Sequence, residues 1–472
     1  MTIQCDIAVL GGGTGGYVAA IRAAQLGKEV VIIEQDKLGG TCLHRGCIPS
    51  KSLLRSAEVF AMMQDSEQYG IAADGVRLQF EQVQSRKQGI VDQLHRGVQY
   101  LMKKNKITIV RGQGRVIGPS IFSPQSGAVA VELEDGEMET VVSKNLIIAT
   151  GSRPRDLPGL EADGKLILNS DHALQLEQLP ASILIVGGGV IGMEWASMLN
   201  DFGVEVTVVE AAPHILPQED EEVARELHRL LEKRGVTIYT SASLQLDSYA
   251  PQDDRLSISF VHNEQTIELS VAKMLVSVGR RANVETIGLA NTDIAIENGF
   301  IKVNDVMQTS ESHIYAIGDV IGGLQLAHAA SHEGITAVNH ICGEPVHYEP
   351  SQVSRCVYTR PEVASVGISA AQAKEQGREI KIGKFPFKAI GKALVHGDSE
   401  GFVKVIADAN SDDLLGVQII GPQATDLISE AALAQFLDAT PWEIGQTVHA
   451  HPTLAEILGE AMLAVDGKAI GM

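Results

Sequence analysis

Gly11-Gly12-Gly13-Thr14-Gly15-Gly16 follows directly on an apolar, β-branched run at residues 4–10 and opens an alanine-rich segment over 17–26. A second apolar run, 29–33, ends at Glu34. Strand, glycine turn, helix, strand and terminal acid in this order make a dinucleotide-binding βαβ unit. Gly11 permits the tight turn, Gly13 lets a pyrophosphate approach the backbone, and Gly16 lets helix and sheet pack closely. The helix N-terminus receives phosphates, and Glu34 falls where an acid accepts hydrogen bonds from an adenosine ribose.

The same design recurs. Residues 182–186 are a strand, Gly187-Gly188-Gly189-Val190-Ile191-Gly192 a second turn, 194–200 a helix, and 205–209 a strand ending at Glu210. Two such units imply two dinucleotides. Glu210 bonds a free ribose 2′-hydroxyl and repels a 2′-phosphate, and no Arg follows in Ala211-Ala212-Pro213-His214, so the second nucleotide is expected to be NAD(H) and not NADP(H).

Between the two units lies Gly39-Gly40-Thr41-Cys42-Leu43-His44-Arg45-Gly46-Cys47-Ile48-Pro49-Ser50-Lys51. The spacing admits two inert, packed thiols as well as a redox pair. Five residues along a regular helix rise ~7.5 Å and turn ~140°, whereas a disulfide needs its Cα atoms ~5.5–6 Å apart, so a bonded pair requires a distorted segment. A helix N-terminus, with Arg45 or Lys51 nearby, favours thiolate.

The 472 residues exceed one hydrophobic core, which implies three or four domains or lobes. The 47 glycines and 44% hydrophobic content suit a soluble α/β chain. A net charge of −21 lacks the basic footprint of general nucleic-acid binders. No apolar run approaches the ~20 residues that span a bilayer, and the N-terminus has no basic signal region. Cys5, Cys342 and Cys356 have no close sequence partner and are expected as buried thiols, which points to a reducing cytoplasm.

Elsewhere, 50–63 and 80–103 are expected to be helical, and the alternation in 107–116, 129–133 and 141–148 indicates strands ending at Ala149-Thr150-Gly151-Ser152. Residues 154–159 form a crossover. Residues 274–279 are a short buried strand, and 310–320 set another strand against Gly318 and Asp319, the latter open to a turn or a site role. Strands at 353–366, 401–407 and 414–420 and helices at 425–437 and 454–464 make an α+β domain. In His449-Ala450-His451-Pro452-Thr453-Leu454-Ala455-Glu456, Thr453 and Glu456 fit a capping box, while His451 also fits a base oriented by Glu456; spacing leaves both open. His-x-His lacks accompanying acidic or Cys ligands, so no metal is expected.

Taken in order over nearly the whole length, these motifs resemble the pyridine nucleotide-disulfide oxidoreductase family, and within it the flavoproteins that reoxidise dihydrolipoyl groups of 2-oxo acid dehydrogenase complexes. The resemblance implies two Rossmann-like domains and a C-terminal α+β domain: FAD binding over 1–150, NAD binding over 151–275, a central segment 276–346 completing the FAD site, and dimerisation over 347–472. It implies FAD at Gly11, Gly13, Gly16, Glu34, Lys51, Thr150, Gly151 and Asp319, and NAD at Gly187, Gly189, Gly192, Glu210 and Gly279. Cys42 would be the interchange thiol and Cys47 the thiol against the flavin, joined as a redox disulfide. Lys51 would pair with Glu194, and His451 and Glu456 would serve the partner subunit of a homodimer. Partners would be the lipoyl and subunit-binding domains of an acyltransferase, with no nucleic acid or membrane. Many family members carry Asn-Val where this chain has His44-Arg45, which sets it apart from the commonest subtype. A glutathione or mercuric reductase type shares the front half, but Glu210 disfavours NADPH and the C-terminus adds no cysteines; a docking role in a multienzyme complex is the alternative of another class.

Overall fold

The computed structural model describes residues 2–119 and 126–471, in two compact units. The first is built from residues 1–52, 84–155 and 280–350. Its centre is strand β1 (Thr2–Leu10), flanked in parallel by β2 (Val30–Glu34) and by Met138–Ile148, with helix α1 (Thr14–Gln25) between β1 and β2. Alternate residues of β1 feed opposite cores: Ile7 and Val9 pack with Ala19, Ala20 and Ala23 of α1, whereas Ala8 and Leu10 pack with Val129, Val141 and Ile314. A strand buried on both faces needs an uninterrupted apolar run, and residues 7–10 supply it.

Strand Ile314–Ala316 then joins the far side of Met138–Ile148, also in parallel. Register places Leu10 opposite both Ile33 and Ile148, and Ile148 opposite Ala316. Four strand ends therefore lie along one sheet edge, followed by Gly11, Glu34, Ala149-Thr150-Gly151 and Gly318-Asp319. Open parallel sheets bind ligands at such an edge. Thr108–Ile117, Ala128–Leu133 and Met138–Ile148 form the expected strand layer, and the structure pairs them antiparallel.

The second unit comprises residues 53–83, 156–279 and 351–472. Its parallel sheet repeats the first: Ser182–Val186 lies between Glu205–Val209 and Lys273–Val276, with Val186 opposite Val209 and Val276. Gly187, Glu210 and Ser277–Gly279 consequently share an edge; the expected strand 274–279 ends at 276, where the chain turns toward Gly279 at φ 104°. The C-terminal sheet is antiparallel, in the order Arg355–Val357, Glu362–Gly367, Leu414–Gly421, Phe402–Asp408, Ile380–Pro386. The single strand expected over 353–366 is instead two antiparallel strands, because Pro361 has no N–H to donate to a ladder and sits at the turn between them. No helix among the described residues is long and apolar enough to cross a membrane.

Candidate active site

At the first turn Gly11 has φ 109°, and a Cβ there would stand 2.3 Å from the Ala149 carbonyl oxygen; a Cβ on Gly16 would stand 1.9 Å from the Gly11 oxygen. Both glycines are demanded by the fold. Gly13 is different: its φ is −66°, open to any residue, and no protein atom lies within 4 Å of its Cβ position. Nothing inside the chain requires glycine at 13, whereas a pyrophosphate laid on the N-terminus of α1 does. Glu34 accepts from Gly12 N–H at 2.7 Å through one oxygen and from Asp36 N–H at 2.8 Å through the other. Burial pushes its carboxyl above the usual range, with the Asp36 and Gly12 N–H groups acting against that.

The second turn matches atom for atom. A Cβ on Gly187 (φ 105°) would meet the Ser277 carbonyl oxygen at 2.5 Å, one on Gly192 the Gly187 oxygen at 1.9 Å, and one on Gly189 nothing within 4 Å. Glu210 accepts from Gly188 N–H and, at 2.6 Å, from Ala212 N–H. His214 is turned to the Ile215 carbonyl, 2.9 Å away. Both turns thus fit a dinucleotide: two glycines close the backbone and the third leaves space.

The cysteines straddle a break. Helix α2 (Gly40–Arg45) ends at Gly46, whose φ and ψ of −148° and −114° are not helical, and α3 (Cys47–Gln64) starts immediately after. Here is the distortion the spacing requires, and it lets the half-buried thiols of Cys42 and Cys47 hydrogen-bond to each other. Helix α2 lies against the first turn: Gly39 N–H donates to the Gly12 carbonyl at 2.8 Å, and a Cβ on Gly40 would stand 2.6 Å from the Gly13 Cα. Thr14, inside the glycine turn, hydrogen-bonds Cys42. The expectation of an easily ionised thiol is corrected for Cys42, which is pushed far up by its hydrogen bond to Cys47, then by burial and the charge on Cys47; Thr14 and Lys51 oppose this. Arg45 gives no help because its guanidinium pairs with Asp36. Lys51 follows Cys47 by one turn of α3.

Asp319 accepts from the Ser152 hydroxyl, and Arg280 Nε stands 3.6 Å from the same carboxylate while donating to Ser152 Oγ at 2.7 Å. Thr150 Oγ1 donates to the Asn283 carbonyl at 2.9 Å, and Asn283 Nδ2 returns a bond to the Thr150 carbonyl. Gly151 has φ 67° and open space at its Cβ position. In the second unit, Glu194 is buried and accepts from Tyr358 N–H at 3.0 Å.

His451 Nδ1 lies 2.8 Å from Glu456 Oε1, and Glu456 Oε2 accepts from Thr453 N–H at 2.8 Å. One carboxylate therefore performs both tasks that the spacing left open, capping the turn with one oxygen and holding the imidazole with the other. These bonds, His451 first, hold the Glu456 carboxyl below the usual range. The His451 side chain is 79% exposed. His449 instead faces inward, with Nε2 2.8 Å from Glu430 Oε1. No group of three or more His, Cys, Asp or Glu with a metal-like arrangement occurs among the described residues.

Sequence reasoning overlooked Thr14, Ser152, Arg280 and Asn283. Thr14 alone left a trace, as the one side chain in a run of glycines; the other contacts span more than 120 positions.

A family model described as pyridine nucleotide-disulphide oxidoreductase matches residues 5–334, and one described as its dimerisation domain matches residues 353–462. A curated protein of Bacillus subtilis (strain 168) named dihydrolipoyl dehydrogenase is 60% identical over 472 residues, covering 100% of both chains. One of that name from Zymomonas mobilis is 42% identical over 473 residues, again covering 100% of both. The crystal structure of LpdA from Mycobacterium tuberculosis superposes with a TM-score of 0.89 at 27% identity, over 98% of this chain and 99% of that one.

Proposed function

The chain belongs to the pyridine nucleotide-disulphide oxidoreductase family, and we propose that it acts as a dihydrolipoyl dehydrogenase, oxidising the dihydrolipoyl dithiol carried by an acyltransferase of a 2-oxo acid dehydrogenase complex. The observation that carries this reading is the Cys42–Cys47 pair laid against the first dinucleotide turn and bonded to Thr14.

In the oxidised enzyme one substrate thiolate attacks Cys42 Sγ of the disulfide and displaces Cys47 as thiolate. The second substrate thiol, losing its proton to a base, then attacks the substrate sulfur of the mixed disulfide. Cys42 leaves, and the lipoyl ring closes. Two electrons now reside in the cysteine pair. Of the two substrate protons, one is held at Cys42, consistent with the upward push on that thiol, and the other goes to the base. His451 is that base: an imidazole suits proton transfer near neutrality, and Glu456 stabilises the imidazolium and fixes its orientation. FAD held at the first turn by Gly13, Glu34 and Asp319 would supply the acceptor for that electron pair, and NAD+ held at the second by Gly189 and Glu210 would supply the hydride acceptor; Cys42 and Cys47 rejoin as the pair leaves. Glu34 and Glu210 each present a carboxylate to an adenosine ribose, and Gly13 and Gly189 leave room for the two pyrophosphates. Thr150, Gly151 and Asp319 line the same sheet edge on the FAD side, where Lys51 is proposed to sit near the reactive flavin nitrogen; Gly279 takes the corresponding place for NAD.

The dimerisation domain makes the working unit a homodimer. His451 is proposed to act on the second copy's cysteines, which its exposure supports, as do the exposed Phe436, Leu437, Trp442 and Val448 on the same domain. Cys5, Cys342 and Cys356, which have no close sequence partner, support a cytoplasmic site of action. Purified protein mixed with free dihydrolipoamide and NAD+ tests the reading: NADH is expected without other subunits, and a yellow protein that yields none would refute it.

A further inference from the structure

The Leu38–Gly39 peptide unit carries three hydrogen bonds. Its N–H donates to the Gly12 carbonyl in the first dinucleotide turn at 2.8 Å, and its carbonyl oxygen receives His44 Nε2 and His95 Nδ1, each at 3.0 Å. Both lone pairs of the carbonyl are used, and each ring must carry its proton on the nitrogen facing it. The two rings meet edge to face with centroids 5.0 Å apart. His44 belongs to α2, two residues after Cys42, and His95 to helix Phe80–Lys104. Beside them the Arg45–Asp36 ion pair ties the end of α2 to the residue whose N–H bonds Glu34. Bonds in series across one peptide polarise and orient one another.

We infer that His44, His95 and Arg45 are positioning residues that clamp the loop 35–39 between the Cys42 helix and the adenosine end of the first dinucleotide site, so that the placement of the Cys42 thiol and the retention of the dinucleotide are coupled. This gives the His44-Arg45 pair, unexplained by the redox chemistry, a physical task. The inference rests on the reading of the first turn as the FAD site and of Cys42 as the substrate-facing thiol.

The test uses the FAD-loaded, dithiol-reduced protein. The rate of FAD loss on dilution is followed by flavin fluorescence. Alkylation of Cys42 by iodoacetamide is followed by residue-resolved mass spectrometry, with Cys342 of the same molecule as the reference thiol. His44→Leu is expected to speed both processes by about fivefold, the size of one lost net hydrogen bond, and to leave Cys342 unchanged. His44→Gln, whose amide can donate from a similar position, is expected to restore both rates to within about twofold of the parent. His95→Leu, on a different helix, is expected to reproduce His44→Leu. A His44→Leu protein in which only one of the two rates moves, or a His44→Gln protein that is not rescued, overturns the coupling. A parent protein that retains no flavin sinks instead the reading of the first turn, independently of the clamp.

Discussion

Thr14 and Cys42, one in the dinucleotide turn and the other in the redox helix, share a hydrogen bond. The N-terminus of α1, where the dinucleotide phosphates are proposed to lie, and the thiol proposed to meet the substrate are thereby in direct contact. Replacing Thr14 with Val removes the donor while keeping the shape. Cys42 is then expected to hold its proton more tightly still, because Thr14 is the larger of the two contacts that oppose its upward push. A slower Cys42 alkylation rate at fixed pH, by about twofold to tenfold for a lost hydrogen bond, checks this.

Cys47→Ser is expected to abolish dihydrolipoamide oxidation while the protein remains yellow, since the dinucleotide turn does not depend on the thiol. Turnover at the parental rate would remove the cysteine pair from the mechanism.

Gly13→Ala and Gly189→Ala separate the two nucleotide sites. Each glycine has an ordinary φ and an empty Cβ position, so the stability of either variant, measured without added nucleotide, is expected within about 0.5 kcal/mol of the parent. Gly13→Ala is expected to lose FAD, and Gly189→Ala to keep FAD and raise the KM for NAD+ by at least about tenfold, the equivalent of ~1.4 kcal/mol. Flavin content and steady-state kinetics distinguish them.

Glu456→Gln weakens the hold on the His451 imidazolium. The maximal rate of dihydrolipoamide oxidation is expected to fall by about 10²-fold. Stability changes with pH as well. The folded Glu456 carboxyl is depressed, so its contribution is present above the unfolded carboxylate pKa of ~4.3 and disappears as pH falls through the lower folded value. Chemical denaturation at neutral and acidic pH should show the variant losing this increment only at neutral pH.

Glu210→Ala is expected to raise the KM for NAD+ by about tenfold to a hundredfold through loss of charge-assisted bonds, and to narrow the preference over NADP+. Steady-state kinetics with both nucleotides measure the ratio.

Much of this was legible from local pattern. Strand, glycine turn, helix and acid lie within ~30 residues, so both nucleotide units and their acids could be placed from sequence alone. Strands within 107–148, 401–407 and 414–420 were legible, whereas Pro361 divides one expected run into two and the antiparallel strands over 243–271 and 380–386 went unread. What stayed hidden depends on distant partners. The spacing of Cys42 and Cys47 announces a distortion but not that Gly46 supplies it, nor that the proton is held at Cys42. Arg45, expected to activate a thiol, is drawn away by Asp36, an acid outside its own helix. Glu456 offered two readings because a carboxylate has two oxygens, and both are occupied.

Ser152 and Asp319 are bonded across 167 positions of sequence, and strand Ile314–Ala316 closes the edge of a sheet begun at Thr2. During synthesis the chain must therefore hold the edge of Met138–Ile148 open while an intervening nucleotide-binding lobe is made and folds. An open parallel edge is prone to wrong pairing, and long-range closure is slow. The first sheet therefore cannot be completed until residue 316 has been made, and its open parallel edge is available for wrong pairing until then.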